Sequence, residues 1–348
     1  LIAKRQQNNV SEQIHQQATP MSFALIQGQQ DVDMSTVIDS LFFYLTKHGR
    51  AIVFDEERFN LHYGTSTELR EIPSIIKQRW ISDLEDTHDY IFFVVNDPCS
   101  EWASWVAENA DRVIIVDEAR NTPQPNALKE CIRTEATYQQ YELILLHATD
   151  VEQPTGTATW LDVYSVTRHH HIRQGNEGHF ARVARLLTGN GIGFVLGGGG
   201  ARGYAYIGVL QSLLEANVPI DAVGCVSMGA VIGSAYLSGL HTEDVIAKII
   251  EDGKIYGSKK ALLDATIPIS AMMRSKKVSI AMQRVSGDMN IEDGWIPFFC
   301  VSTNLTKQCT NIHTQGKLHQ AVRASLSIPG IFTPVVRDGD LLVDGGVM

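Results

Sequence analysis

Ser227 stands in the run "VGCVSMGAVIGSAYLSGL", between small residues and two positions ahead of Gly229. A serine on a tight strand-to-helix turn, a nucleophile elbow, projects its hydroxyl above the sheet, and close packing of strand on helix beneath it demands small neighbours. A hydroxyl needs a base. "RDGDLLVDGGVM" supplies Asp344 at the end of an apolar run, just ahead of two glycines. A second glycine-controlled turn lies upstream, where "GFVLGGGGARGYAYIGVLQSL" places four consecutive glycines between an apolar run and a helical pattern. Backbone N–H groups at such a turn point outward at a helix N-terminus, where the dipole favours an anion. Two such turns together offer a nucleophile and a hole for its oxyanion.

Each motif also has a plainer reading. A lone serine ahead of a helix is commonly an N-cap, and D-G-G is commonly a turn. Gly198, Gly200 and Gly203 satisfy G-x-G-x-x-G, with Asp221 downstream at a spacing suited to a ribose, so a nucleotide-binding α/β protein is an alternative. In that fold the acidic residue ends the second strand, whereas Asp221 opens the run "DAVGCV" and stands at the wrong edge of the sheet. The triple histidine His169, His170, His171 invites a metal. On a strand, His169 and His171 share a face and His170 points away, giving at most two ligands with no acidic or cysteine partner nearby. A polar segment packing on its neighbours is the better account, and no metal or cofactor is expected.

In order, "GGGGARG", "CVSMGA" and "VDGG" resemble the signature of the patatin-like phospholipase family. "LGGGGARGYAYIGVLQSLLEANVPIDAVG", "IPFFCVSTNLT" and "AVRASLSIPGIFTPV" resemble its neuropathy target esterase branch, from about Arg182 to the end of the chain. The resemblance extends more faintly through "WVAENADRVIIV", "LILLHA" and "HHHIR". It implies a Ser-Asp dyad hydrolase acting on lysophospholipids or phospholipids, with Ser227 as nucleophile and Asp344 as base. N–H groups of Gly198, Gly199, Gly200 and Arg202 would bind the oxyanion. An exposed aspartate ionises near pH ~3.9 and is a weak base at neutral pH, so the dyad calls for a dry setting around Asp344. A catalytically silent lipid-binding relative is the other reading of the same motifs.

The elbow departs from G-x-S-x-G, because Cys225 stands where the first glycine should be. If that position requires positive φ or very close approach, the cysteine Cβ strains the turn by roughly 1 to 3 kcal/mol. A side chain two residues before the apex should point into the sheet, so Cys225 is not expected to act as nucleophile.

The elements that must carry these turns are α/β throughout. "GIGFVL" reads as a buried strand, and the helix after the glycines sets Ile207, Leu210, Leu213 and Leu214 on one stripe. Residues 191–348 are therefore assigned to a patatin-like three-layer α/β/α catalytic domain, truncated at its C-terminus. Upstream, "FALIQ", "RAIVFD", "YIFFVVND", "DRVIIVDE" and "ELILLHA" alternate with helical stretches such as "TVIDSLFFYLTKH", "SEWASWVAENA" and "NALKECIRTEATYQQY". This pattern predicts a smaller parallel α/β domain over 22–150. Its first turn, "IQGQQDVDMST", lacks the G-x-x-x-x-G-K-[ST] spacing that cradles phosphates. Residues 151–190 read as a connecting segment in which "HFARVARLLTG" is a helix, and the Gln/Asn-rich residues 1–21 as a linker or the tail of an upstream region.

Composition narrows the partners. At 44% hydrophobic and 20% charged the 348 residues suit two globular domains, and a net charge of −10 gives no basic surplus for nucleic acid. Five scattered cysteines without a C-x-x-C pair suggest a reducing, cytoplasmic setting. No apolar run approaches the ~18 residues that span a bilayer, so contact with a membrane would be peripheral. A chain that opens at Leu1 and stops after "LLVDGGVM" reads as an internal fragment. In proteins of the resembled branch, cyclic-nucleotide-binding-like domains lie upstream.

Overall fold

A computed structural model describes residues 20–29, 31–63, 69–124, 140–239, 271–273 and 275–347. The readings of residues 1–19 and of most of "NALKECIRTEATYQQY" lie outside them. The chain divides into two compact units, residues 1–116 with 126–142, and residues 117–125 with 143–348.

Strands β1 (Met21–Gln27), β2 (Ala51–Phe54), β3 (Tyr90–Val95), β4 (Arg112–Glu118), β5 (Gln140–His147) and β6 (Arg168–Arg173) form one sheet in the order β2-β3-β1-β4-β5-β6. The pairings of β1 with β3, β1 with β4 and β2 with β3 are parallel. β3 is buried along its whole length, as the continuous run "YIFFVV" requires of a parallel strand covered on both faces. The predicted helices occur at Met34–Leu45 and Glu101–Asn109, each capped by the side chain before it, Asp33 and Ser100. Residues 151–190, read as a connecting segment, contain helix Thr157–Tyr164, strand β6 and helix Glu177–Leu187.

The remaining strands are β7 (Gly193–Leu196), β8 (Ala222–Val226), β9 (Ala271–Met273), β10 (Phe298–Asn304), β11 (Cys309–His313), β12 (Gly330–Phe332), β13 (Val335–Arg337) and β14 (Asp340–Asp344). The second sheet runs β13-β14-β10-β8-β7, with β11 also on β10, and β9 pairs with β12. Its β7, β8 and β10 are parallel, while β10–β14, β10–β11 and β13–β14 are antiparallel. The architecture is mixed α/β.

Two readings need correction here. "GIGFVL" is not a buried strand: among the described residues β7 lies at the end of its sheet, paired with β8 alone, and Val195 is exposed. The stripe on helix Ala205–Glu215 narrows to buried Ile207 and Leu210, with Leu213 partly buried and Leu214 exposed, because a helix over a sheet margin covers less of its surface. Cys99 is disulfide-bonded, while Cys225, Cys300 and Cys309 are free.

Candidate active site

β8 is a short buried strand between β7 and β10, and at its C-terminal end the chain turns through Ser227 into helix Met228–Leu237. Ser227 has φ 55° and ψ −125°, a combination outside the ordinary left-handed basin and foreign to a residue with a Cβ. Ser227 occupies the N-cap position, yet its side chain caps nothing. Its Oγ instead donates to Asp344 Oδ2 at 2.5 Å, and its backbone N–H donates to Ser325 Oγ at 2.9 Å. Ser227 and Asp344 are 4% and 5% exposed, so the pair meets out of bulk water.

The surrounding glycines are sterically obligatory. A Cβ on Gly229 would lie 2.1 Å from the Leu196 carbonyl oxygen, so helix and strand touch backbone to backbone beneath the serine. A Cβ on Gly345 would meet the Val301 carbonyl at 2.4 Å, and one on Gly203 the Met228 side chain at the same distance. Gly198 faces the nucleophile: a Cβ there would stand 3.3 Å from Ser227 Cβ.

The glycine turn starts at the end of β7 and passes into a short 3-10 turn, Gly200–Tyr204, with Gly200 at φ 55°. Among the turn and loop hydrogen bonds of the described residues, none uses the N–H of Gly198, Gly199 or Gly200. The Arg202 N–H is committed, since it donates to the Gly199 carbonyl at 3.2 Å and closes the turn. Gly198 thus faces Ser227 with its N–H outside these bonds, while the Arg202 N–H serves the turn's shape.

Asp344 ends β14, opposite Ser302 of β10. Its N–H donates to the Ser327 carbonyl at 2.9 Å, and its Oδ1 accepts the Gly346 N–H at 2.8 Å. One carboxylate oxygen is therefore held by the turn and the other faces the hydroxyl. Ser325 and Ser327 went unassigned in the sequence. The signal was present in "AVRASLSIPG", where two serines alternate with apolar residues at a helix end.

Cys225 has no positive φ, so the condition for backbone strain at that position is not met. The thiol points inward and is accommodated by a second glycine, because a Cβ on Gly233 would lie 2.3 Å from Cys225 Sγ. Burial raises the Cys225 thiol above its ordinary range, which leaves it un-ionised and inert.

Asp221 is structural. Arg185 holds it through Nε at 2.8 Å and a terminal nitrogen at 2.7 Å, and the Ile192 N–H adds a third bond. Of the histidines, His169 and His171 do share a face, both reaching the Glu292 carbonyl through Nε2, at 3.0 and 2.9 Å. His171 Nδ1 also bonds His147 Nε2 at 2.9 Å, so these rings serve one another and the backbone. Among the described residues no group of three or more His, Cys, Asp or Glu could hold a metal ion.

A strained serine elbow, a buried aspartate hydrogen-bonded to its hydroxyl and a glycine turn facing it thus lie together at the end of β8. Residues 194–348 match the patatin-like phospholipase family, and residues 22–185 match the neuropathy target esterase family P-loop like domain. The chain thus carries a segment that matches the patatin-like phospholipase family, with the segment that matches the P-loop like domain ahead of it in sequence. It is 35% identical over 297 residues to neuropathy target esterase sws of Drosophila persimilis, covering 77% of this chain and 21% of that protein. It is 30% identical over 353 residues to patatin-like phospholipase domain-containing protein 7 of Mus musculus, covering 93% of this chain and 26% of that protein. The chain thus spans between a fifth and about a quarter of the length of these relatives. Among solved structures, VipD from Legionella pneumophila is similar at a TM-score of 0.31 and 18% identity, over 45% of this chain and 46% of that one.

Proposed function

We propose that this chain carries the catalytic centre of a lipid ester hydrolase that cleaves the acyl ester of lysophospholipids or phospholipids through Ser227 and Asp344. The observation that carries the proposal is the 2.5 Å hydrogen bond from Ser227 Oγ to Asp344 at the apex of a strained turn, where an N-cap serine would have bonded its own helix. The match of residues 194–348 to the patatin-like phospholipase family supports the lipid ester as substrate class. In the first half-reaction Ser227 Oγ attacks the acyl carbonyl carbon while its proton passes to Asp344 Oδ2. The oxyanion lies against the N–H groups of Gly198, Gly199 and Gly200, with the N-terminus of helix Met228–Leu237 adding its dipole. Collapse breaks the ester bond, and the departing glycerol oxygen takes the proton back from Asp344. Water, deprotonated by Asp344, then clears the acyl-enzyme. Such a substrate is met at a bilayer or micelle surface, so peripheral membrane contact on the cytoplasmic side belongs to the proposal. Among the described residues no helix is long and apolar enough to cross a membrane.

The test is fluorophosphonate labelling and lysophosphatidylcholine hydrolysis by the full-length protein. Both are expected for the wild type and both are lost in Ser227→Ala. A folded wild type that binds lipid vesicles yet neither labels nor hydrolyses would make the protein a silent lipid-binding relative.

A further inference from the structure

We infer that Ser325 is a positioning residue for the dyad, and that the run 323–327 holds both of its members in register. This rests on the assignment of Ser227 and Asp344 above. Helix Leu318–Ser325 packs against β10, β14 and helix Met228–Leu237, which brings its C-terminal end beneath the site. Ser325 is wholly buried, and its Oγ accepts the Ser227 N–H at 2.9 Å. Two residues on, the Ser327 carbonyl accepts the Asp344 N–H at 2.9 Å. Ser227 and Asp344 lie 117 positions apart in sequence, and one three-residue stretch grips the backbone of each.

The grip on Ser227 acts on the strained peptide. Rotation of the Val226–Ser227 peptide toward a relaxed φ would swing the Ser227 side chain off its line to Asp344, and a backbone outlier persists only where its surroundings fix it. The N–H to Ser325 Oγ bond is one such constraint, made in a buried setting where an unmet donor is costly. The stretch is itself braced. Buried Arg323 donates to Ser327 Oγ, and to the Thr333 carbonyl at 2.9 Å, which ties the chain after the helix back onto its last turn. Ser325 touches neither substrate nor the transferred proton, so its contribution lies in where it keeps the nucleophile.

A positioning role and a packing role separate experimentally in the full-length protein, with lysophosphatidylcholine micelles and a fluorophosphonate as probes. Ser325→Ala is expected to remain folded and to lose about tenfold or more in both kcat and the rate of fluorophosphonate labelling. Its KM should stay within about twofold, because binding of the lipid does not depend on the elbow's last few tenths of an ångström. Ser325→Thr keeps the hydroxyl and should restore labelling to within about threefold of wild type. If Ser325→Ala does not fold, Ser325→Cys takes its place, since it keeps the volume with a weaker acceptor and should show the same fall in kcat. Ser227→Ala is the control: if it still hydrolyses, the dyad assignment is wrong. If it is silent while Ser325→Ala labels at the wild-type rate, or Ser325→Thr fails as badly as Ser325→Ala, only the positioning role is overturned.

Discussion

Ser227 Oγ donates to Asp344 Oδ2 at 2.5 Å, while Asp344 Oδ1 is held by the N–H of Gly346. The two carboxylate oxygens are therefore held apart, one fixed by the turn and the other facing the Ser227 hydroxyl, where the proposed reaction needs its proton acceptor. Replacing Asp344 with asparagine keeps an oxygen for Gly346 and removes the proton acceptor. Asp344→Asn is expected to fold like wild type and to lose about 10³-fold or more in kcat, by analogy with other hydrolases deprived of their acidic partner. Circular dichroism and steady-state hydrolysis measured on the same preparation check both halves.

Gly229 should be intolerant of even one methyl group. The added Cβ would stand 2.1 Å from the Leu196 carbonyl oxygen and 2.8 Å from that of Gly197, both backbone atoms that cannot rotate away. Gly229→Ala is expected to cost about 3 kcal/mol or more of stability, in the range of a severely overpacked core. Fluorophosphonate labelling should be lost in proportion, whereas Gly208→Ala, with nothing within 4 Å of the new methyl, should be close to neutral in a denaturant titration.

Several buried histidines make the fold sensitive to acid. Burial pushes His147, His169 and His313 each down to about 4, and His171 well below its ordinary value. Below pH ~6.5 the unfolded chain takes up protons that the folded chain refuses, so stability is complete above that pH and falls as pH drops toward 4. A loss on the order of 1 to 2 kcal/mol per histidine is expected by pH 5. Thermal midpoints between pH 7.5 and 4.5 should decline. A flat profile would mean that these rings accept protons in the folded state.

The P-loop like domain should bind no nucleotide triphosphate. Its first helix begins with Asp33, whose carboxylate accepts the Thr36 N–H and both the Ser35 and Thr36 hydroxyls. Those hydroxyls, Thr36 first, hold the carboxyl below its usual range. An anion already stands where a phosphate would bind, and the hydroxyls that would serve phosphate or magnesium are spent on it. Calorimetry with ATP and GTP is expected to give no affinity in the micromolar range.

What was legible in the sequence is what local chemistry dictates. The elbow, the D-G-G turn and the glycine turn are read from adjacent residues, and β3 from an unbroken apolar run that only a covered parallel strand would carry. What escaped depends on register and on distant partners. Nothing local announces that β7 ends its sheet, that the Arg202 N–H closes its own turn, or that Ser325 reaches Ser227 from 98 positions away. The departure at Cys225 was visible, but its compensation at Gly233 was not, because two residues eight apart on a strand and a helix become neighbours only through the elbow itself.

That compensation gives the last prediction. The Cys225 thiol occupies the space that Gly233 leaves open, and Cys225 carries no positive φ that glycine would relieve. Cys225→Gly should therefore leave turnover unchanged or lower it. It should also destabilise by roughly 1 to 2 kcal/mol, through the emptied volume and the backbone entropy of a glycine in a strand. Gly233→Ala alone should be worse, since the new methyl lies 2.3 Å from the sulfur. In the double variant the methyl enters the space the thiol vacates, although Phe298 and Val223 still stand 3.3 Å away and must yield slightly. A double-mutant cycle is thus expected to show a favourable coupling of about 1 kcal/mol or more between the two positions. Additive losses would mean that thiol and glycine do not share the space, and higher turnover in Cys225→Gly would return the strain to the first position of the elbow.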